Sequence, residues 1–404
     1  MNTAGIICEY NPLHAGHCLL MKHARAGLGP ESSVICVMSG NFVQRGDFAL
    51  THRMARAEAA VKSGADLVLE LPLPWSVSSA ERFAEGGVRT LAATGVVTHL
   101  AFGSECGDAE ALARVAAGLR DPAFSPLLRR ELKTGVSFAA ARQRAAEWLL
   151  GREYGALLGT PNNILGIEYC KSLQATCAPI RPLTVRREGA AHDGEAVDGI
   201  ASASAIRQLL QSGGRERALD LMAPAMREVF LREEGAGRAP VFVETCQRSV
   251  LAKLRTMTRE EFDALDEGNE GLGNRLFSAS RTAATLADLL GAAKTKRYAY
   301  ARLRRMVLWA YLGLKPADVP TEVPYLRVLA ANDVGCALLS RMKKTASVPV
   351  LTKPADVRKL SGAAQTLFAL EARAADLYAL AYPNLSAATG GGAWREVPVI
   401  CCPL

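Results

Sequence analysis

The sequence predicts an α/β fold, with a domain built on a parallel β-sheet followed by a mainly α-helical C-terminal domain. Three observations predict it. Short apolar runs alternate with helical patterns from residue 4 to about residue 186, as in successive βαβ units. Almost every periodic segment beyond Gly213 is helical. The 404 residues are 49% apolar and 22% charged, which suits two or three ordinary globular domains.

The first domain is predicted over residues 1–212. Its expected strands are residues 5–8, 33–38, 67–71, 99–102 and 180–185, and its expected helices are residues 17–26, 51–62, 79–93, 109–119, 138–150 and 163–173. Parallel strands joined in this way take right-handed crossovers and gather ligands at their carboxyl ends. Residues 186–203 resemble a loop, and Ser204 is the expected cap of a helix that runs to Gln211.

The second domain is predicted over residues 213–404. Its expected helices are residues 216–233, 244–256, 275–290 and 298–314. Residues 387–392, which include three consecutive glycines, predict a mobile loop.

Basic residues are concentrated in one part of this second domain. The formal net charge is +8, and residues 291–360 hold fourteen Lys or Arg against four acids, so this segment is at +10 and the rest at −2. Segregation of this kind favours contact with a polyanion such as RNA, with a solvated basic face as the alternative. The candidate RNA contacts are Lys294, Lys296, Arg297, Arg302, Arg304, Arg305 and Arg327.

Several classes of protein are excluded by composition. No window approaches the roughly 18 apolar residues of a membrane span, and the N-terminus lacks the order of a secretory signal. Ten cysteines are scattered without a C-x-x-C pair, which favours reduced thiols in a cytoplasmic protein. We expect no membrane partner and no metal centre, and the sequence has no signal for an oligomeric state.

The most specific motif is H-x-G-H at residues 14–17, where the first strand gives way to the first helix. A glycine lets a ligand approach the backbone, a helix start offers N–H groups, and imidazoles donate to phosphate oxygens. The motif therefore predicts a phosphate site in which His14 and His17 are catalytic. Simple packing or capping is one alternative, and a zinc site completed by Glu9 or His23 is another.

The sequence resembles the bacterial tRNA(Met) cytidine acetate ligases of the HIGH-motif nucleotidyltransferase superfamily over essentially its whole length. The segments that carry the resemblance are residues 5–17, 38–46, 65–72, 102–105, 161–166, 202–207, 296–298 and 325–329. The chain departs from the family pattern at Leu13 and Ala15, where phenylalanine and asparagine are usual. The resemblance implies a Rossmann-like nucleotidyltransferase domain.

The resemblance also implies an activity. ATP, with Mg²⁺, would activate acetate to acetyl-adenylate, and the acetyl group would pass to the exocyclic amine of the wobble cytidine in elongator tRNA(Met). The implied ATP-binding residues are Ile7, Glu9, Tyr10, Asn11, His14, Gly16, His17, Leu20, Gly103, Asn162, Arg187, Ser204 and Arg207. The implied pocket for acetate and adenylate comprises Asn41, Gln44 and Arg45.

Several of these residues also have a plainer, purely structural interpretation. Asn162 and Ser204 can be helix caps, Gly103 a turn residue and Arg187 a solvated loop charge, and residues 41–45 can be a structural turn. Two other functions are open: adenylylation of a phosphorylated coenzyme precursor, and RNA binding without catalysis.

Overall fold

The core of the molecule is an eight-stranded, mostly parallel sheet. The computed structural model describes residues 2–187 and 201–401. The strands are β1 (Thr3–Cys8), β2 (Ser33–Ser39), β3 (Phe42–Val43), β4 (Asp47–Phe48), β5 (Leu67–Leu71), β6 (His99–Ser104), β7 (Arg181–Arg186), β8 (Leu326–Ala331), β9 (Val350–Leu351) and β10 (Val399–Ile400). The sheet order is β10-β8-β5-β2-β1-β6-β7, with β9 on β8, and β3 and β4 form a separate hairpin.

Nineteen α-helices lie in the described ranges. They are α1 (Ala15–Leu28), α2 (Arg53–Lys62), α3 (Leu73–Ser76), α4 (Ala80–Ala93), α5 (Ala109–Arg120), α6 (Phe124–Leu132), α7 (Phe138–Leu150), α8 (Arg152–Ala156), α9 (Pro161–Thr176), α10 (Ala203–Gln211), α11 (Arg215–Leu221), α12 (Pro224–Gly235), α13 (Gln247–Thr256), α14 (Arg259–Asp263), α15 (Leu272–Thr282), α16 (Leu286–Ala293), α17 (Tyr300–Leu312), α18 (Asp333–Thr345) and α19 (Gly362–Ala379). None is long and apolar enough to cross a bilayer.

The predicted βαβ alternation is confirmed. Strands β2, β1, β6 and β7 are parallel neighbours, and β5 extends the parallel set beyond β2. Every residue of β1, β2 and β5 is buried, because helices cover both faces of the sheet, as in doubly wound folds. The carboxyl ends of these strands therefore share one edge.

The predicted second domain, residues 213–404, is mainly helical, but it also contributes strands to the sheet, which the sequence did not predict. The fully buried strand β8 pairs antiparallel with β5, and β10 pairs with β8. A run of six buried residues needs partner strands for its backbone groups. The chain therefore leaves the sheet, builds a helical layer over residues 203–312, and then returns to it.

Arg327 was predicted to contact RNA, but the structure buries this side chain. The residue lies within β8 and is only 4% exposed. Its guanidinium lies 3.5 Å from a Glu70 carboxylate oxygen and 3.3 Å from a Glu396 oxygen, over the Phe368 ring. A guanidinium held in this buried ion network does not reach the surface.

Two long predicted helices are each divided in two. Residues 216–233 break before Pro224, which occupies the first turn of α12 and cannot continue a helix from α11. Residues 275–290 break where Thr285 forms a capping box with Asp288 and starts α16. Ser202, not Ser204, caps α10 through the amide of Ala205.

Residues 387–392, which were predicted to form a mobile loop, are held to helix α19 by a hydrogen bond. The Gly391 N–H donates to Asp376 Oδ1 at 2.6 Å, and short 3₁₀ turns flank the glycines. Most of the predicted loop at residues 186–203 lies outside the described residues.

The helical layer is fixed to the sheet domain through the β3–β4 hairpin. Phe42 and Phe48 of the hairpin belong to the hydrophobic core of helices α13 to α17 and α19. The indole N–H of Trp309 in α17 donates to the Val77 carbonyl at 2.8 Å. Gly46, at the hairpin turn, has φ = 76°. A Cβ there would lie 2.3 Å from the Arg305 backbone nitrogen, so the turn meets the backbone of α17 directly.

We predict that Gly46→Ala lowers the free energy of unfolding by about 1–3 kcal/mol, because the substitution adds a positive-φ strain and a backbone clash. Urea unfolding measures the change. Gly291→Ala is the matched control, since Gly291 lies within α16 with open space at its Cβ and alanine should stabilise that helix. Equal stability of the Gly46→Ala variant and the parent would contradict the proposed contact.

Candidate active site

The two motif histidines cap helix α1 together. His14 is the N-cap, and its Nδ1 accepts the Gly16 N–H at 3.1 Å. His17 Nδ1 accepts the His14 N–H at 3.3 Å, and the two ring centroids lie 3.8 Å apart. Because both Nδ1 atoms are acceptors, the proton of each neutral imidazole is on Nε2. The pair therefore presents two Nε2–H donors that the capping bonds orient.

Both imidazoles are neutral at pH 7. Burial, reinforced by the positive charge of Arg187, lowers the pKa of His14 to about 4. Burial and the neighbouring His14 hold the pKa of His17 well below its usual range. The histidines thus offer hydrogen-bond donors rather than fixed positive charge in the absence of ligand.

The expectation that free amides of the helix start bind phosphate needs correction. The Gly16 amide is bonded to His14 Nδ1, and the His17 and Cys18 amides donate to the His14 carbonyl. Gly16 is not among the residues that line the cleft. The imidazole Nε2–H groups replace the amides as the donors that this motif presents.

The loop that bears the histidines is held from two sides. The Ala223 N–H donates to the Leu13 carbonyl at 3.1 Å, and Leu13 is fully buried in the core that contains Met222. Leu13 thus fills the position where the family has phenylalanine, whereas Ala15 is exposed. On the other side, the buried guanidinium of Arg56 donates to the Glu9 carbonyl.

A second wall of the site joins the end of β6 to the start of α9. The Glu105 carboxylate accepts the Asn162 side-chain N–H at 2.7 Å and the Asn163 amide at 2.7 Å. Asn162 Oδ1 in turn accepts from the exposed Arg187 at 3.4 Å. Thr160 is the N-cap of α9, so the capping alternative for Asn162 is wrong. A Cβ at Gly103 would lie 3.1 Å from Arg187 Cγ, so the bare backbone admits this arginine.

Arg207 of α10 closes the third side. Its guanidinium donates to Asp47 Oδ2 at 2.9 Å and to Asn11 Oδ1 at 3.2 Å, and it lies over the Phe242 ring. Asn11 Oδ1 also accepts the Leu50 amide at 2.6 Å. This arginine is therefore oriented, not a freely solvated charge.

The residues predicted to bind acetate divide into two groups. Gln44 and Arg45 line the cleft, and the Gln44 amide donates to Glu9 Oε1 at 2.6 Å. Burial raises the pKa of Glu9. Asn41 is buried instead, and its Oδ1 accepts the Arg53 amide at 2.9 Å. Asn41 does not line the main cleft and instead borders a small cavity beside Glu70, so its assignment to the acetate pocket stays a prediction.

These walls enclose one cleft of about 1230 Å³, at the carboxyl ends of the strands. Of the predicted ATP-binding residues, all except Gly16 line it: Ile7, Glu9, Tyr10, Asn11, His14, His17, Leu20, Gly103, Asn162, Arg187, Ser204 and Arg207. Residues of α13, α16 and α17 line its far side. The volume exceeds the roughly 300–1,000 Å³ typical of small-ligand pockets, so the cleft has room for a nucleotide and a second substrate.

The predicted RNA-binding residues have different surroundings. Lys294 Nζ donates to two carbonyls at 2.7 Å. Arg302 and Arg305 pair with Glu267, and Arg305 is buried. Lys296, Arg297 and Arg304 are exposed. The structure therefore leaves the last three available at the surface and commits the others to internal bonds.

Sequence reasoning did not assign a role to Asp47, Glu105 or Phe242, which contact predicted site residues. The residues closest to a usable signal were Glu105, within the segment 102–105, and Asp47, which directly follows the segment 38–46. The described residues contain no group of three or more His, Cys, Asp or Glu that could hold a metal ion.

The fold and the paired histidines define a nucleotidyltransferase, and comparison with known proteins identifies its class. The model of the HIGH nucleotidyl transferase family matches residues 1–391. A protein of Acetivibrio thermocellus named tRNA(Met) cytidine acetate ligase is 36% identical over 95% of this chain and 96% of its own. One of the same name from Syntrophomonas wolfei is 33% identical over 99% of each.

Two solved structures of Thermotoga maritima TmcAL also match. The apo form superposes with a TM-score of 0.95 and the form bound with alpha-thio ATP with a TM-score of 0.94, each at 32% identity over 100% of both chains. The chain belongs to the tRNA(Met) cytidine acetate ligase family of HIGH nucleotidyl transferases. The predicted family and fold are thereby confirmed.

We predict that acid destabilises the protein partly through His14. The pKa of His14 is about 4 when folded, against 6.5 as its ordinary value, so the unfolded chain binds more protons between these values. The free energy of unfolding should fall by up to about 3 kcal/mol from this group as the pH drops through that window.

Urea unfolding at several pH values tests this prediction against the His14→Asn variant. Asparagine is a good N-cap, so the variant should match the parent at pH 7 and lose less stability at pH 4.5. Parallel pH profiles for the two proteins would show that His14 is not the group responsible.

Proposed function

We propose that this protein activates acetate with ATP and transfers the acetyl group to the exocyclic amine of the wobble cytidine, position 34, of elongator tRNA(Met). The observation that supports it most directly is the continuity of the cleft. One cavity is lined both by the histidine pair and by helix α17 of the basic segment. The proposal includes a cytoplasmic location, because its substrate is a tRNA.

The first step joins acetate to the nucleotide. An acetate oxygen attacks the α-phosphorus of ATP, the bond to the leaving phosphate breaks, and acetyl-adenylate and pyrophosphate form. His14 and His17 donate their Nε2–H groups to phosphate oxygens, and Arg187 and Arg207 neutralise charge at the other walls. Donors that are already oriented stabilise developing charge without reorganisation.

The second step transfers the acetyl group. The cytidine amine attacks the acetyl carbonyl carbon, AMP leaves, and the amine loses a proton. Because the adenylate is already activated, this step requires proximity and exclusion of water more than a strong base. We assign Gln44 and Arg45 to the pocket where acetate reacts to form acetyl-adenylate, since they line the cleft beside Glu9.

Mg²⁺ fits this site as a companion of ATP rather than as a resident ion. The described residues supply no cage of three ligands, and Mg²⁺ commonly retains water and binds through substrate phosphates. Bound there, it would neutralise phosphate charge. The side chains of His14, His17, Arg187 and Arg207 act on the remaining oxygens.

The two alternative functions fit the site less well. A coenzyme-precursor adenylyltransferase would use the histidine pair but would leave the α17 wall and its exposed arginine without a role. A non-catalytic RNA-binding protein would need neither the oriented imidazoles nor the oriented Arg207.

The decisive experiment is mass analysis of nucleosides from tRNA incubated with the protein, ATP and acetate. An acetylated cytidine that depends on ATP and acetate supports the proposal. Pyrophosphate release only with a coenzyme precursor would favour the first alternative, and no ATP turnover under any condition would favour the second.

We predict that His17→Ala lowers adenylate formation by at least about a hundredfold, because one oriented donor to the transition state is lost. Its affinity for tRNA should be nearly unchanged, since electrostatic RNA contacts lie elsewhere. Pyrophosphate exchange measures the first quantity and RNA binding the second. His23→Ala, an exposed histidine on the same helix, is the control. Normal exchange in His17→Ala would remove this imidazole from the mechanism.

A further inference from the structure

One face of helix α17 forms the far wall of the cleft. Tyr300, Arg304, Val307, Leu308 and Tyr311 all line the cavity. Successive members of this set are mostly three or four residues apart, which places them on a single side of the helix. Val307, Leu308 and Tyr311 are buried at its inner end, whereas Tyr300 and Arg304 are exposed at its outer end. The helix therefore runs from the interior of the cleft to its mouth.

Tyr300 differs from the other aromatic residues of this region. It is 48% exposed, whereas Tyr298, Trp309 and Tyr311 are buried. Those three use their polar atoms internally, on the carbonyls of Glu270, Val77 and Leu377. Among the aromatic residues of α17, Tyr300 is thus the one whose ring is open to a ligand.

The Tyr300 ring is held in place from one side. Lys294 Nζ lies 5.4 Å from the ring centroid, and the carbonyls of Thr295 and Tyr298 fix that ammonium at 2.7 Å each. A cation over one face leaves the opposite face for a planar partner. Bases of single-stranded RNA are such partners, because any base can stack on an aromatic ring.

Arg304 lies one turn after Tyr300 and supplies the complementary charge. Its neighbours Arg302 and Arg305 are paired with Glu267, but Arg304 has no ion pair among residues 2–187 and 201–401. The hairpin turn at Gly46 contacts the backbone of Arg304 and Arg305. The backbone of Arg304 therefore adjoins the hairpin turn that follows Gln44 and Arg45.

We infer that Tyr300 and Arg304 form the entry site for the acceptor RNA: the ring stacks on an unpaired base, and the guanidinium binds the adjacent phosphate. The inference rests on the proposed function and adds where the acceptor strand enters. An unpaired loop, not a base-paired stem, is the part of the RNA that this site recognises.

The test compares Tyr300→Ala with the parent enzyme on transcripts of elongator tRNA(Met). Loss of stacking should lower kcat/KM for the RNA by about tenfold to a hundredfold and leave acetate-dependent pyrophosphate exchange unchanged. Tyr300→Phe keeps the ring and should retain most of the activity. Trp148→Ala is the matched control, since Trp148 is 68% exposed and does not line the cleft.

A binding measurement separates stacking from a structural role. Fluorescence anisotropy with a labelled anticodon stem-loop should show tenfold or more weakening in Tyr300→Ala, while a fully paired RNA duplex of equal length binds both proteins alike. Equal weakening for the two RNAs, or normal kcat/KM in Tyr300→Ala, would overturn the inference. If the parent protein acetylates no RNA, the proposed function fails, and the stem-loop comparison still decides whether Tyr300 stacks on an unpaired base.

Discussion

The whole site depends on the buried guanidinium of Arg56. It donates to the carbonyls of Glu9, Ser39, Gly40 and Thr51. Glu9 follows β1, Ser39 and Gly40 lie at the end of β2, and Thr51 precedes α2. The side chain of Arg56 is fully buried, and burial lowers the pKa of this arginine. One planar group with five donors thus sets the spacing between the loop of the histidines and the loop of Gln44 and Arg45. The proposed phosphate donors and the proposed acyl pocket share this anchor.

The residues proposed to contact ligand are likewise oriented by a small number of hydrogen bonds. His14 and His17 orient each other through Nδ1, so each ring is at once a cap and a donor. Asp47 orients Arg207 and lies on the hairpin that supports α17. Glu105 orients Asn162, which orients Arg187. Positioning therefore passes through short polar chains from the sheet to each wall of the cleft.

The family resemblance supplies most residues of the cleft, and local patterns are enough for the parallel sheet and for the histidine pair. They failed where a long-range partner decides the outcome. In the sequence, Arg327 has the pattern of a surface charge, because its partners Glu70 and Glu396 lie far away along the chain. Likewise, the sequence does not show that the Asn41 side chain accepts a hydrogen bond from the Arg53 amide in the interior. Strand β8 has a mostly apolar sequence that suits a helix equally well. Its pairing with β5 is what makes this segment a strand. Which residues orient the site is likewise a property of packing, since Asp47 and Phe242 form no motif with Arg207.

The late return of β8 has a consequence for biosynthesis. Strand β5 leaves the ribosome about 260 residues before its antiparallel neighbour, which at 5–20 residues per second means a delay of tens of seconds. Through that interval the nascent sheet has an open, apolar edge at Leu67–Leu71, a template for pairing with other chains. Truncated translation products would keep that edge permanently, so quality control by chaperones and proteases bears on this enzyme more than on proteins whose sheet closes early.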